Sequence, residues 1–207
     1  MSKFNNFSNT DLPKIKTAYD AARKGLEVLA IDMAKGTGKG TKFDTNFVKY
    51  FGTVEKDGLN YLIDAVKAMQ AKIASLTFKV YYDSNYTSGN AMMSSYITRN
   101  VGTGQNFATV NDIQLLETTQ INTGGSRMTI GPSCMSQVMW KQDDQCIIES
   151  FIHELSHHAA GTVDDSNGGD CYGLSGVNRL KSTGSTRATR NAENVAFFCM
   201  AWVGRVN

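Results

Sequence analysis

An α+β fold is predicted by the order in which side-chain spacing changes along the chain: helical periods first, then strand and loop character, then helical periods again. The 207 residues, 41% hydrophobic and 10% aromatic, suffice to bury one core, so residues 1–207 are read as a single domain. Its expected layout is a pair of N-terminal helices, a small mostly antiparallel sheet, and a later helix bearing the most distinctive chemistry of the chain.

The first helix runs from Asp11 to about Ala34, with Pro13 in its first turn and Ile15, Tyr19, Ala22, Leu26, Leu29 and Met33 at intervals of three or four. The run KGTGKGTK, 35–42, lacks the four-residue gap before GK that a phosphate-binding loop needs, and reads as a solvated connector. After a short segment ending in Tyr50-Phe51-Gly52, a second amphipathic helix spans about Val54 to Ser75, with Leu59, Leu62, Val66, Met69 and Ile73 on one face. These two helices are expected to pack together. At Thr77 the run TFKVYY has the β-branched and aromatic content of a strand, and the next 50 residues are rich in Ser, Thr, Asn and Gly. Within them, IQLLETTQI and SRMTIGP flank Asn122-Thr123-Gly124-Gly125, the pattern of a hairpin. Helical spacing returns after Cys146 in IIESFIHELSHHAA, where Ile147, Ile148, Phe151, Ile152 and Leu155 form the apolar side and Gly161 supplies the stop. Two further helices, about Tyr172 to Lys181 and Arg190 to Val203, are separated by the breaker-rich STGST.

With 21 Lys+Arg against 19 Asp+Glu, the net charge of +2 offers no field suited to nucleic acid or an anionic membrane. No apolar run approaches the roughly 20 residues of a membrane-spanning helix. The N-terminal MSKFNNFSNTDLPK lacks the apolar centre of a signal peptide. The four cysteines form no CxxC pair; two disulfides are allowed, and Cys134 with Cys146 and Cys171 with Cys199 are the favoured pairing.

All three histidines of the chain fall within HELSHH, at 153, 157 and 158. On a helix, i and i+4 are neighbours on one face, so His153 and His157 can converge on one ion with bonds of about 2.0 to 2.1 Å. Glu154 then stands beside the metal without ligating it, where it can take a proton from an activated water. His158, about 100° round the helix from His157, is assigned to the surface or to a supporting role. Such a site needs a third protein ligand. Asp164, seven residues after His157 and beyond a turn at Gly161, is one candidate; Glu193, on the later helix NAENVAFF, is the other. Residue chemistry leaves the two nearly even.

HELSH followed by GTVD and by Tyr172-Gly173 resembles the aspzincins, the deuterolysin and peptidyl-Lys metalloendopeptidase group, whose pattern is HExxH followed by GTxDxxYG. Tyr50-Phe51-Gly52 is similar to the aromatic-Phe-Gly segment of that group, and NAENVAFF to its helix NADxxExF, so the resemblance spans roughly residues 20 to 200. It implies a zincin-like domain, one catalytic Zn²⁺ held by His153, His157 and Asp164, Glu154 as general base, Tyr172 as oxyanion donor, and a secreted, extracellular enzyme cleaving protein or peptide substrates. It also implies that Glu193 contacts the substrate, since two acidic residues of NADxxExF make a negative S1′ pocket in the lysine-specific members. Here those positions are Glu193 and Ala196, which leaves one charge of the two. Seven residues, DSNGGDC, separate Asp164 from Tyr172, more than the pattern has, and Asp165 and Asp170 within them are expected to make polar turns. The extended substrate is expected along an exposed edge strand, for which residues 126–131 are the candidate. Two other readings share the motif: an effector peptidase that recognises one target protein through an exosite, and a zincin-fold interaction domain without hydrolysis.

Overall fold

The computed structural model describes residues 3–35, 40–53, 55–75, 78–86, 91–101, 104–110, 124–130 and 145–203. In chain order the elements are β1 (Phe4–Asn5), α1 (Asp11–Ala34), α2 (Lys42–Phe51), α3 (Lys56–Ala74), β2 (Phe78–Tyr82), β3 (Ala91–Val101), β4 (Gly104–Val110), β5 (Gly124–Ile130), α4 (Gln145–Ala160), α5 (Gly173–Lys181), α6 (Ser185–Ala188) and α7 (Ala192–Met200). The architecture is α+β, as expected. No helix among the described residues is long and apolar enough to cross a membrane.

The two long N-terminal helices form where the apolar spacing places them, and they pack against each other. Ile15, Tyr19, Ala22, Leu26, Leu29 and Met33 of α1 are all buried, as are Leu62, Val66, Met69 and Ile73 of α3. Between them lies a helix that the spacing did not announce. In α2 the Thr41 side chain accepts the Asp44 N–H at 3.1 Å, and Gly52, at φ 83°, ends the helix. Phe43, Phe47, Tyr50 and Phe51 are buried, so the Tyr-Phe-Gly segment is the end of an aromatic helix.

The sheet departs from expectation in two respects. Its order is β1-β2-β5-β3-β4, with β1/β2 and β2/β5 parallel and β5/β3 and β3/β4 antiparallel. It is therefore a mixed sheet rather than a mostly antiparallel one. Strand β5 lies at its centre: β2 covers Ser126 to Ile130 on one side, and β3 covers Gly124 to Ile130 on the other. Residues 126–130 therefore have no open edge to offer a substrate, and residue 131 lies outside the described residues. Nor is β5 available to pair with 113–121 in the expected hairpin; those residues, like Asn122 and Thr123, lie outside the described ones. Alternating hydrophobicity shows that a segment is a strand but not which neighbours it takes. The full burial of Phe78, Val80 and Met128 belongs to the centre of a sheet covered by helices.

Helix α4 is the backbone of the site. It packs against α1, α3, α7 and β3. Ile147, Ile148, Phe151, Ile152 and Leu155 are essentially inaccessible to solvent, and burying each stabilises the helix by about 1.5–3 kcal/mol. This apolar side orients the opposite one, which bears the histidines. Gly161, at φ 68°, stops the helix with its N–H on the His157 carbonyl at 3.1 Å. The chain then doubles back. Cys171 and Cys199 are separate buried thiols, so the disulfide expected between them is absent. Each is enclosed by packing instead: Cys171 against Gly176, where an added Cβ would meet its backbone at 2.3 Å, and Cys199 inside the core. Burial pushes the Cys199 thiol well above its ordinary value. Cys134 lies outside the described residues.

Candidate metal centre

The segment after α4 is pinned by one short stretch of strand-like pairing. The Val163 N–H donates to the Arg190 carbonyl at 2.9 Å, and the Ala192 N–H donates to the Val163 carbonyl at 3.0 Å, a parallel bridge between Val163 and Asn191. The Asp165 N–H adds a bond to Asn191 Oδ1 at 2.9 Å. Asn191 is itself fixed, donating to Asn194 Oδ1 at 2.8 Å, and Asn194 donates to the carbonyls of Tyr50 and Val177 at 2.8 and 3.1 Å. Both asparagines are fully buried. They join α2, α5 and α7 beneath the site.

This bridge brings Asp164 to the two histidines. His153 Nε2 lies 3.2 Å from His157 Nε2 and 3.3 Å from Asp164 Oδ1, and His157 Nε2 lies 3.4 Å from the same oxygen. The three residues form a group that can bind a metal ion. The spacing itself tests the fit. A tetrahedron's edge is about 1.63 times its centre-to-corner distance, so metal bonds of about 2.0–2.1 Å call for edges of about 3.3–3.4 Å. The three atoms therefore stand as three corners of such a tetrahedron. Asp164 and Tyr172, the latter 51% exposed, leave the group accessible to solvent.

The other ring nitrogens are engaged behind the site. His153 Nδ1–H donates to Glu193 Oε2 at 2.9 Å, and His157 Nδ1–H donates to the Thr162 carbonyl at 2.8 Å. With those protons on Nδ1, a bound metal ion would find both Nε2 lone pairs free to ligate once it displaces the protons shared with Asp164. Ser156 donates to the His153 carbonyl at 2.7 Å, so its 2.6 Å contact with Thr162 Oγ1 must be donated by the threonine.

Charge at the centre calls for a cation. Burial opposes protonation of His153, but the carboxylates of Asp164 and Glu193 outweigh it and push its pKa up to about 10. Burial likewise works against the charge of Asp164, yet hydrogen bonds from His153, His157 and the Tyr172 hydroxyl hold it well below the usual carboxylate range. Burial and the same Asp164 bond raise the Tyr172 phenol, whose ring stacks on His153 at 6.1 Å and 26°. Glu154 is half-buried, and its charge acts on both His153 and Tyr172.

Glu193 requires a correction. The resemblance implies a substrate-facing carboxylate, but it is 7% exposed, with Oε2 on His153 and Oε1 accepting the Gly173 N–H at 2.7 Å. It supports the histidine from behind. Ala196 is fully buried in α7. The negative pocket therefore loses both of its positions, not one. Asp165 and Asp170 make the polar turns expected of them: Asp165 accepts the Asn167 N–H at 3.2 Å and pairs with Arg187, and Asp170 accepts the Tyr172 N–H at 3.0 Å. Glu149 was not foreseen, although it precedes His153 by four residues and so shares its helical face. Its carboxyl hydrogen-bonds Glu193, and burial together with the Glu193 charge pushes its pKa up to about 7.

No family model matches the chain, and no curated protein matches it.

The raised Glu149 value sets a pH dependence for the metal-free protein. Its folded pKa of about 7 exceeds its ordinary 4.5, so its contribution to stability is fully present below about pH 4.5 and lost as the pH rises through 7. Glu149→Gln keeps a donor without the ionisation. In chelator, thermal melts should show the variant gaining on the parent by about 2–3 kcal/mol between pH 5 and pH 8.5. A difference that does not change with pH contradicts the carboxyl pair.

Proposed function

We propose that this chain is a zinc-dependent metalloendopeptidase of the aspzincin type, acting on protein or peptide substrates. The observation that carries the proposal is the tetrahedral spacing of His153, His157 and Asp164 with both Nδ1 atoms tied back. Two imidazoles and one carboxylate suit zinc, and three protein ligands leave one position open, as a catalytic rather than a structural zinc site requires. Bound there, zinc would supply Lewis acidity toward the scissile carbonyl and bring the pKa of a water to near 7.

The remaining steps belong to the chain's own residues. Glu154, beside His153 on the same helix and outside the ligand triangle, accepts the proton of the attacking water and passes it to the leaving amine. Tyr172 keeps its phenolic proton because burial and the Asp164 hydrogen bond raise its pKa, so it is a donor at neutral pH. Turned from Asp164 to the substrate, that hydroxyl stabilises the developing oxyanion. Glu193 and the Thr162 carbonyl fix the two imidazoles in the ligating tautomer. Without an acidic residue facing out of α7, the site has no charge-based reason to prefer lysine at P1′.

Two measurements test the assignment. The purified protein should bind one equivalent of zinc; Asp164→Ala should abolish tight binding, whereas Glu193→Ala should weaken it about 10- to 100-fold, as loss of a supporting partner does. The reverse order would remove Asp164 from the ligand set. Glu154→Gln should retain zinc and lose about 10²- to 10⁴-fold of casein hydrolysis. Undiminished hydrolysis would remove Glu154 from the mechanism, and zinc binding without hydrolysis by the parent protein would favour a binding domain.

A further inference from the structure

Residues 165–171 could span about 23–25 Å if extended, yet Tyr172, just beyond them, hydrogen-bonds the carboxylate of Asp164, just before them. The loop must close on itself, and its backbone carbonyls turn inward as it does. Four of them meet one side chain. Arg179 Nε donates to the Asp170 carbonyl at 2.8 Å, Nη1 to Asn167 at 3.0 Å, and Nη2 to Asp165 and Gly169 at 2.7 and 3.3 Å.

We propose that Arg179 is a positioning residue for the site: its guanidinium is the cation around which residues 165–170 wind, and the closed loop returns Tyr172 to Asp164. This rests on the metallopeptidase reading for its consequence in catalysis, though not for its geometry. Inward-facing carbonyls repel one another and need a positive centre, a task that falls to metal ions in other carbonyl-lined loops. Only a planar fork reaches four acceptors in different directions; a lysine ammonium has three donors at one point. The loop is fitted to that fork. Gly168 and Gly169 lie at φ 90° and 136°, and a Cβ on Gly169 would meet Arg179 Cδ at 3.4 Å. Arg187 anchors the loop's beginning, with Nη2 on Asp165 Oδ1 at 2.7 Å and a further bond to the Asn167 carbonyl.

Arg179 also sits on the element it positions. It lies on α5, seven residues after Tyr172, which occupies the N-cap position of that helix. The guanidinium therefore ties the helix that Tyr172 precedes to the loop leading from the metal ligand. Asp164 has separate support from the Val163 bridge, so loss of Arg179 should spare the metal and cost the tyrosine.

The experiment compares Arg179→Ala, Arg179→Lys, Tyr172→Phe and the Arg179→Ala/Tyr172→Phe double variant, after thermal melts confirm that each folds. Expected for Arg179→Ala are zinc affinity within a few-fold of the parent, a kcat lowered roughly 100-fold at near-constant KM, as for loss of an oxyanion donor, and a double variant no worse than Tyr172→Phe. Arg179→Lys should recover only part of the loss. Proteolysis needs no intrinsic activity: in a Glu154→Gln background, Arg179→Ala should open residues 165–171 to proteinase K, and millimolar guanidinium ion should restore protection. Losses that add in the double variant, or a loop still protected in Arg179→Ala, would overturn the proposal. If the parent protein proves inactive, the metallopeptidase reading fails on its own, and protection alone still decides whether Arg179 closes the loop.

Discussion

The site depends on a pair of backbone hydrogen bonds at Val163. By accepting from Ala192 and donating to Arg190, this one residue sews the segment after the histidine helix to the start of α7. Asp164 follows Val163, and Glu193 follows Ala192, so the same bridge delivers two carboxylates to His153 from opposite sides. One meets Nε2 and the other Nδ1. A carboxylate on each side of an imidazole is a costly arrangement in a partly buried place unless a positive charge joins it. In the metal-free protein a proton on His153 meets that demand, and a metal ion would meet it better.

The surrounding fold serves to keep this junction rigid. The apolar side of α4 prevents the helix from rotating, so His153 and His157 cannot leave the face that meets Asp164. Beneath the bridge, Asn194 donates to backbone carbonyls of α2 and α5, and Asn191 donates to Asn194 and to the Cys171 carbonyl ahead of α5. Aromatic rings of α2 and α7 fill the layer below: Phe43 and Phe51 pack on Phe198 at 5.4 and 5.2 Å. Polar groups buried this deeply stabilise only when fully paired, and here each amide hydrogen bond also sets the position of a chain segment.

Much of this was legible in the sequence because it is local. The apolar spacing of α1, α3 and α4, the stop at Gly161, and the i, i+4 relation of the two histidines all follow from one helix seen by itself. Asp164 was one of two candidates by residue type, and its neighbours in GTVD singled it out by resemblance; the 3.3 and 3.4 Å separations place it with the histidines. What could not be read was pairing between distant segments. Strand β5 has the composition of an edge and the position of a centre, because β2 and β3 reach it from opposite sides. Glu193 was a candidate ligand by residue type and a substrate contact by resemblance, since nothing local reveals that its helix faces inward at that turn. Arg179 gave no signal at all: a basic residue in the last turn of a helix is ordinary, and only the folded loop makes it a centre of four carbonyls.

The proposed centre is a three-cornered protein site of two imidazoles and one carboxylate that would close around a single zinc ion. X-ray absorption at the zinc edge of the loaded protein measures that shell most directly. Expected are four light ligands at about 2.0–2.1 Å, with the outer-shell scattering of two imidazole rings. A shell of six oxygens, or one with a single imidazole, would contradict it.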